Sequence, residues 1–308
     1  MICGSVGARG CAHETRREPA VTISIDGKLV AQEDARIDIF DHGLLYGDGV
    51  FEGMRMVGRG IFRLDDHMRR LGAGAKHLGL ELPGGLARMR QIAIDTCKAH
   101  EDRDAYIRFV VTRGSGPLGV DPFTCKSPVV ICIVSGITLF PADKRARGLD
   151  MVTSSVRKPD PDQLDPRVKS LNYLNSVLAE REARMRNVDE ALVLNKRGTV
   201  AEASVANIFI VRQGSLQTPP TTDGSLEGIT RRSVMEIAGK LGIPCQEKSL
   251  SRADVLDADE CFLSGTGARI VAVATLDGAA IGTGERPVMA KIDTAFDAFQ
   301  LERGVKVD

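Results

Sequence analysis

Gly136-Ile-Thr-Leu-Phe-Pro-Ala-Asp-Lys-Arg-Ala-Arg-Gly148 is polar, basic and interrupted by proline, while the chain on either side of it is apolar and periodic. Such a segment offers little to a core and reads as a connection between two bodies. With 308 residues, 43% of them hydrophobic, the chain can fill two cores. The expected organisation is a loose tail over 1–20, a small N-terminal α/β domain over 21–135, an interdomain loop over 136–148 and a larger, strand-rich domain over 149–308. The fold class is therefore α+β.

Val21-Thr-Ile-Ser-Ile-Asp-Gly-Lys-Leu-Val alternates apolar and polar residues around Asp26-Gly27, which predicts a hairpin. Met68, Leu71, Ala75 and Leu78 predict a helix over His67 to Leu80, with Gly79 near its end. A second helix is expected over Pro83 to His100, through Leu86, Met89, Ile92, Ala93 and Thr96. Tyr106 to Thr112 and Pro128 to Val134 are rich in β-branched residues and predict strands. Beyond Gly148 the strands are short and close together: Ala191 to Leu194, Val200 to Ala203, Asn207 to Val211. Two helices are expected around them. One runs from about Tyr173 to Arg186 with Leu174, Val177 and Leu178 on one face, the other from about Thr230 to Leu241 with Gly242 as its stop.

Lys+Arg and Asp+Glu both number 41, so nothing favours a polyanion, and no nucleic-acid partner is expected. No apolar run approaches the ~20 residues that span a bilayer, and the first twenty residues lack the apolar stretch of a secretory signal. The seven cysteines are widely spaced without a Cys-x-x-Cys, and the five histidines form no His-x-x-x-His. Reduced thiols, a cytoplasmic location and no metal site are the expectations.

Four local features could carry chemistry. Lys169 follows a Pro- and Asp-rich loop and precedes a predicted helix, whose N-terminal potential would disfavour its ammonium form. A lysine amine with a depressed pKa can form a Schiff base with an aldehyde cofactor, although most lysines are solvated surface residues. Glu202 sits between two apolar strands, where a carboxylate needs a partner such as a pyridinium nitrogen. The bland alternative is an edge-strand glutamate facing water. Ser225-Leu-Glu-Gly228-Ile229-Thr230 places a glycine before a helix start, offering free amides and a hydroxyl to a phosphate, or merely a capped helix. Leu263-Ser-Gly-Thr266-Gly267-Ala268 ends a strand in a small-residue turn that could hold an anion, or is a plain tight turn. Gly114-Ser-Gly-Pro-Leu-Gly119 matches G-x-G-x-x-G, but Pro117 removes an amide and no βαβ pattern follows, so a dinucleotide fold is rejected.

These features share one order and one set of flanking residues. With Phe40-Asp-His-Gly-Leu-Leu-Tyr-Gly-Asp-Gly-Val-Phe-Glu-Gly-Met-Arg55, Lys169-Ser-Leu-Asn-Tyr-Leu-Asn, Val200-Ala-Glu-Ala, Leu226-Glu-Gly-Ile-Thr-Arg and Ser264-Gly-Thr-Gly-Ala, the chain from about Val21 to Phe299 resembles the fold-type IV enzymes dependent on pyridoxal 5'-phosphate (PLP). Within them it looks most like branched-chain amino-acid aminotransferases, with D-amino-acid and (R)-amine transaminases as close relatives. The resemblance implies a D-amino-acid-aminotransferase-like, two-domain fold. It implies that Lys169 carries the cofactor and shuttles the proton at the substrate Cα, and that Glu202 pairs with the ring nitrogen. It further implies that Tyr173, supported by Asn207, bonds the ring hydroxyl, that Leu226 packs on the ring, and that Arg70, Ile229, Thr230 and Thr266 hold the phosphate. Substrate would meet Tyr46, Phe51 and Gly53. Tyr106 and Arg108 would admit a side-chain carboxylate, and the turn Thr266-Gly267-Ala268 would bind the α-carboxylate. The implied reaction is a ping-pong transfer from branched-chain L-amino acids to 2-oxoglutarate in a homodimer or a multiple of it. The alternative is D-amino-acid or (R)-amine transamination, or aminodeoxychorismate lyase chemistry, on the same fold. The loop Ala203-Ser-Val205-Ala after Glu202 stands where the family usually has more glycine, and Gly267 stands where alanine is common.

Overall fold

The computed structural model describes residues 20–136 and 139–308. The expectation of a tail over 1–20 lies outside the described residues except at Ala20. The strands are β1 (Val21–Ile25), β2 (Lys28–Val30), β3 (Gly49–Val57), β4 (Gly60–Phe62), β5 (Ala105–Thr112), β6 (Val129–Ser135), β7 (Leu149–Arg157), β8 (Glu190–Leu194) and β9 (Val200–Ala203). Then come β10 (Asn207–Arg212), β11 (Ser215–Thr218), β12 (Cys245–Glu247), β13 (Glu260–Gly265), β14 (Arg269–Leu276), β15 (Ala279–Ala280) and β16 (Gly304–Lys306). The helices are α1 (His42–Tyr46), α2 (Leu64–His77), α3 (Gly85–Lys98), α4 (Ala142–Arg147), α5 (Pro161–Leu164), α6 (Leu174–Met185), α7 (Ile229–Lys240), α8 (Arg252–Leu256) and α9 (Pro287–Glu302).

Two sheets organise these elements. The first is antiparallel in the order β16-β4-β3-β5-β6-β1-β2, and α2 and α3 cover one face of it. Val50, Met54 and Met56 of β3 point to those helices and join Met68, Leu71, Met89 and Ile92 in a dry core. The second sheet is mixed, in the order β12-β11-β10-β13-β14-β7-β8-β9 with β15 on β14. The predicted hairpin forms: Ile25 pairs with Lys28 across Asp26 (φ 53°) and Gly27 (φ 83°), a left-handed turn that glycine accepts without strain.

The last strand departs from the expected division. β16 leaves the second half of the chain and pairs with β4, so residues 304–306 belong to the first sheet. Phe62 of β4 packs with Phe296 and Phe299 of α9, which ties the two bodies together.

The face of α6 that the apolar spacing marks is not the one that meets the sheet. Leu174, Val177 and Leu178 are exposed, and Ser176, Ala179 and Ala183 face β7 and β8 instead. Small side chains let the helix lie close to the sheet, and the larger ones are left outside. Among the described residues no helix is long and apolar enough to cross a membrane.

Candidate active site

The N-terminal halves of β3 and β5 and the turns at the ends of β9 and β13 enclose a cleft of about 270 Å³. Strand alternation decides who faces it. Phe51 and Gly53 of β3 look into the cleft, while Glu52 looks back toward α2. Tyr106 and Arg108 of β5 line the same wall. A side chain at Gly53 would put its Cβ 2.3 Å from the Tyr106 hydroxyl, so only glycine leaves room for that tyrosine. The Arg108 guanidinium lies 4.6 Å from the Phe51 ring centre and 5.6 Å from that of Tyr106. That placement over two ring faces favours the cation.

Lys169 rises from the floor. It lies not at a helix N-terminus but four residues before the N-cap, Tyr173, in an extended stretch clamped to β3: Phe51 N donates to Lys169 O and Leu171 N to Gly49 O, both at 3.0 Å. Lys169 Nζ donates to Tyr173 Oη at 2.6 Å and stands 4.4 Å from the Phe51 ring centre. The lysine is pushed down to about 7. Burial is the main cause, and the positive charges of Arg70 and Arg108 add to it, against Glu52 and Glu202. The amine is thus poised for nucleophilic or proton-transfer work, but the cause is desolvation and neighbouring arginines rather than the helix dipole expected from sequence. Burial also raises the Tyr173 phenol, with the Glu202 carboxylate adding to the effect.

Glu202 is buried on β9 and faces the cleft. Its Oε1 is ion-paired with Lys158 Nζ at 2.6 Å, and its Oε2 accepts from Leu226 N at 3.1 Å and Asn207 Nδ2 at 3.2 Å. The water-facing alternative is excluded. At the other end Gly228 caps α7 without any side-chain hydrogen bond, so the first amides of the helix, at Ile229 and Thr230, are available to an anion. A Cβ at Gly228 would fall 1.9 Å from Asn207 Oδ1.

Arg70 lines the cleft beside this helix start and is fixed from behind. It makes a bidentate pair with Glu52 (2.8 and 2.7 Å), and its third nitrogen donates to Glu227 O at 2.7 Å. His67 Nδ1 closes the cluster on Glu52 at 2.7 Å. Glu52 is held down at about 2: full burial opposes ionisation, and Arg70 and His67 outweigh it.

The turn after β13 is braced in a way the sequence did not suggest. Arg55 donates to the carbonyls of Thr266 and Gly267, both at 3.1 Å, and Arg145 donates to those of Ala268 (2.9 Å) and Ile270 (3.0 Å). With the carbonyls drawn outward to two arginines, the amide side of the turn is left to the cleft. The buried Ser264 hydroxyl, on the same wall, has no partner among the described residues.

Of the residues singled out from sequence, Lys169, Arg70, Tyr173, Glu202, Asn207, Leu226, Ile229, Thr230, Thr266, Phe51, Gly53, Tyr106, Arg108 and Gly267 line this one cleft. Two expected to meet substrate do not. Tyr46 lies on α1, with its hydroxyl accepting from Gly119 N at 2.9 Å, and Ala268 is buried behind the turn with its carbonyl on Arg145. Leu139 joins the lining, as does Val205, which the sequence marked only as a departure from the family pattern, and Lys158, Glu52, Arg55 and Arg145 support it without having been expected as site residues. Of the supports, only Glu52 and Arg55 lie inside a stretch whose pattern had pointed to the site.

The cleft fits an aromatic ring carrying an aldehyde, an acidic nitrogen and a phosphate. It supplies one amine of lowered basicity, a carboxylate facing inward and an uncapped helix start next to an arginine. The family described as amino-transferase class IV matches the chain over residues 49–276. A putative branched-chain-amino-acid aminotransferase of Methanocaldococcus jannaschii is 43% identical, over 92% of this chain and 98% of that protein. The crystal structure of the Escherichia coli branched-chain amino acid aminotransferase superposes with a TM-score of 0.89 at 32% identity, covering 93% of this chain and 99% of that one. The branched-chain amino acid aminotransferase of Thermobaculum terrenum, solved in its PLP-bound holo form, gives a TM-score of 0.82 at 29% identity, covering 95% of this chain and 100% of that one. The chain belongs to the class IV aminotransferases. It is a transaminase on the two-sheet α+β fold of that family.

Proposed function

We propose that the protein is a PLP-dependent branched-chain amino-acid aminotransferase that uses 2-oxoglutarate as amino acceptor. The observation that carries the reading is the pairing, in one cleft, of Lys169 near neutral basicity with the inward-facing Glu202. Bound PLP would supply an aldehyde carbon to take the amino group and a ring to draw electrons from the substrate Cα. Glu202 would hold the ring nitrogen, the amides at the start of α7 together with Arg70 would hold the phosphate, and Tyr173 Oη would hold the ring hydroxyl. Lys169 Nζ, neutral over much of the physiological range, would take the proton from Cα and return it on the far side of the reaction.

On the substrate side Phe51, Val205 and Leu139 offer apolar contact to a branched side chain. Arg108, resting on Phe51 and Tyr106, is placed to receive the second carboxylate of glutamate or 2-oxoglutarate, so one pocket would serve both half-reactions. The braced turn at Thr266 and Gly267 would take the α-carboxylate.

A homodimer, and work in the cytoplasm, are part of the same reading. Leu44, Leu45 and Tyr46 of α1 and Leu118, Val120 and Phe123 of the loop after β5 are exposed, more apolar surface than a lone chain usually leaves to water. Cys97, Cys125, Cys132, Cys245 and Cys261 are free thiols, in keeping with a reducing compartment. The deciding test is a steady-state panel with 2-oxoglutarate, run on protein whose mass in solution is measured alongside. Turnover of L-leucine, L-isoleucine and L-valine by a dimer or its multiple is expected. Activity confined to D-alanine and (R)-1-phenylethylamine would overturn the substrate assignment, and an active monomer would overturn the dimer.

A further inference from the structure

Lys158 is the one cation in direct contact with Glu202 among the described residues, and the function proposed above gives it no task. It follows directly on β7, and its backbone amide donates to Leu194 O of β8 at 3.0 Å. Its stem packs beside Gly224, where an added Cβ would lie 3.4 Å from Lys158 Cβ. Only 8% of the residue is exposed, so its position is set by the two strands and the turn around it. A lysine is seldom buried this far unless its charge is answered. Here the answer is Glu202 Oε1, and the head group reaches it from a small cavity of its own behind the cleft, lined by Asp165, Asn172, Tyr173 and Leu226 among others.

We propose that Lys158 is a positioning residue for the ring-nitrogen end of the cleft: it answers the Glu202 carboxylate and keeps it aimed inward, and its fixed positive charge sets how firmly that end of the site retains a proton. The proposal rests on the reading in which Glu202 faces the ring nitrogen. The geometry divides the carboxylate's work. Oε1 is committed to Lys158, while Oε2 keeps two weaker donors, Leu226 N and Asn207 Nδ2, and has room left for a third. A carboxylate already sharing its charge with an ammonium is a weaker base toward anything else it meets. Asp165, of the loop before Lys169, and Tyr173 line the same small cavity as the pair, and Lys169 lies in the field of Glu202 together with Arg70, Arg108 and Glu52.

The test compares holoenzyme and apoenzyme of the wild type, K158M, K158Q and K158R, with E202Q as reference. In the holoenzyme the readout is the pH midpoint of the visible absorbance of the cofactor held by Lys169. Removing a positive charge raises the proton affinity of cationic groups nearby, so K158M and K158Q are expected to move the midpoint up by about half a pH unit or more. K158R should stay with the wild type. In the apoenzyme the readout is thermal stability against pH. A buried carboxylate stripped of its cation costs stability while it is ionised, so the penalty is largest at neutral pH and fades in acid. K158M should therefore melt below the wild type at pH 7 and approach it at pH 4. Unchanged midpoints in K158M and K158Q, when E202Q does move, would overturn the role of Lys158 alone. If neither E202Q nor K158M moves the midpoint while K158M still alters the apoenzyme profile, the ion pair stands and the assignment of Glu202 to the ring fails.

Discussion

Glu52 and Glu202 are both buried carboxylates bound to a cation, yet the protein uses them in opposite ways. Glu52 is fully enclosed on the helix side of β3, and Arg70 and His67 claim both of its oxygens at 2.7–2.8 Å. Nothing is left over, and the acid is held near 2. Glu202 keeps one oxygen on Lys158 and offers the other to longer bonds at the edge of the cleft. A closed ion pair is scaffold: it fixes Arg70 so that the outer side of the guanidinium can face an anion. An open one is suited to chemistry, because it keeps acceptor capacity for a ligand. Lys169 lies in the field of both, since each carboxylate raises its basicity while burial, Arg70 and Arg108 lower it.

The largest expected effect lies between the two. Lys169→Ala should cut turnover by about 10³-fold or more, with the circular dichroism spectrum unchanged and no Lys169-dependent visible absorbance on adding PLP. Turnover close to wild type would show that the amine between the carboxylates does no chemistry. In the wild type the free amine of the apoenzyme should become available as pH rises through about 7, so the rate at which added PLP is captured should climb over that window.

Glu52→Gln separates scaffold from chemistry. It strips the charge that answers Arg70 and leaves a guanidinium mostly buried, a loss of about 3–5 kcal/mol by the usual behaviour of broken buried pairs. Urea unfolding of the apoenzyme measures it. The sign of the pH effect follows from the depressed value. The stabilisation is whole above the ordinary 4.5 and is lost as pH falls from there toward 2, and the variant should lack that acid limb. Weaker PLP binding should accompany the loss, because Arg70 would no longer be held. A variant as stable as the wild type would collapse the distinction between the two carboxylates.

The same contrast explains what was legible beforehand. Lys169, Glu202 and the two turns proposed to bind anions sit in short stretches whose residue types suggest their chemistry, and strand alternation alone puts Phe51 and Gly53 on one side and Glu52 on the other. The supports were not legible, because each acts over a long loop in the chain. Arg55 reaches Thr266 across 211 residues, Arg145 reaches Ala268 across 123, and Lys158 meets a glutamate on a different strand. Helical spacing marked Leu174, Val177 and Leu178 as one face of α6. It carried no information on which face the sheet would take, and close approach favoured Ser176, Ala179 and Ala183. The return of β16 to the first sheet is likewise a tertiary choice, made by Phe62 and α9 rather than by three residues of strand.

A third buried glutamate sharpens the comparison by having no cation among the described residues. Glu190 of β8 accepts from Ala191 N at 2.7 Å and Ser204 N at 3.2 Å, and Ser204 belongs to the turn that follows Glu202. Without a positive partner, burial wins over these hydrogen bonds and pushes the acid up to about 7. The sign is the reverse of that at Glu52. The folded state holds the proton more tightly than the unfolded chain, so the stabilisation is whole below the ordinary 4.5 and is lost as pH rises through 7. Glu190→Gln keeps an oxygen for both amides and cannot ionise. It should remove a decline of roughly 1–3 kcal/mol between those values, read from apoenzyme unfolding at pH 5 and pH 8, with little change in turnover at pH 6. The effect on the cleft is indirect, through the turn carrying Val205. If the variant instead loses activity at every pH while its stability profile is unaltered, Glu190 acts on the turn through its charge, and the division between closed, open and uncharged carboxylates fails at its third member.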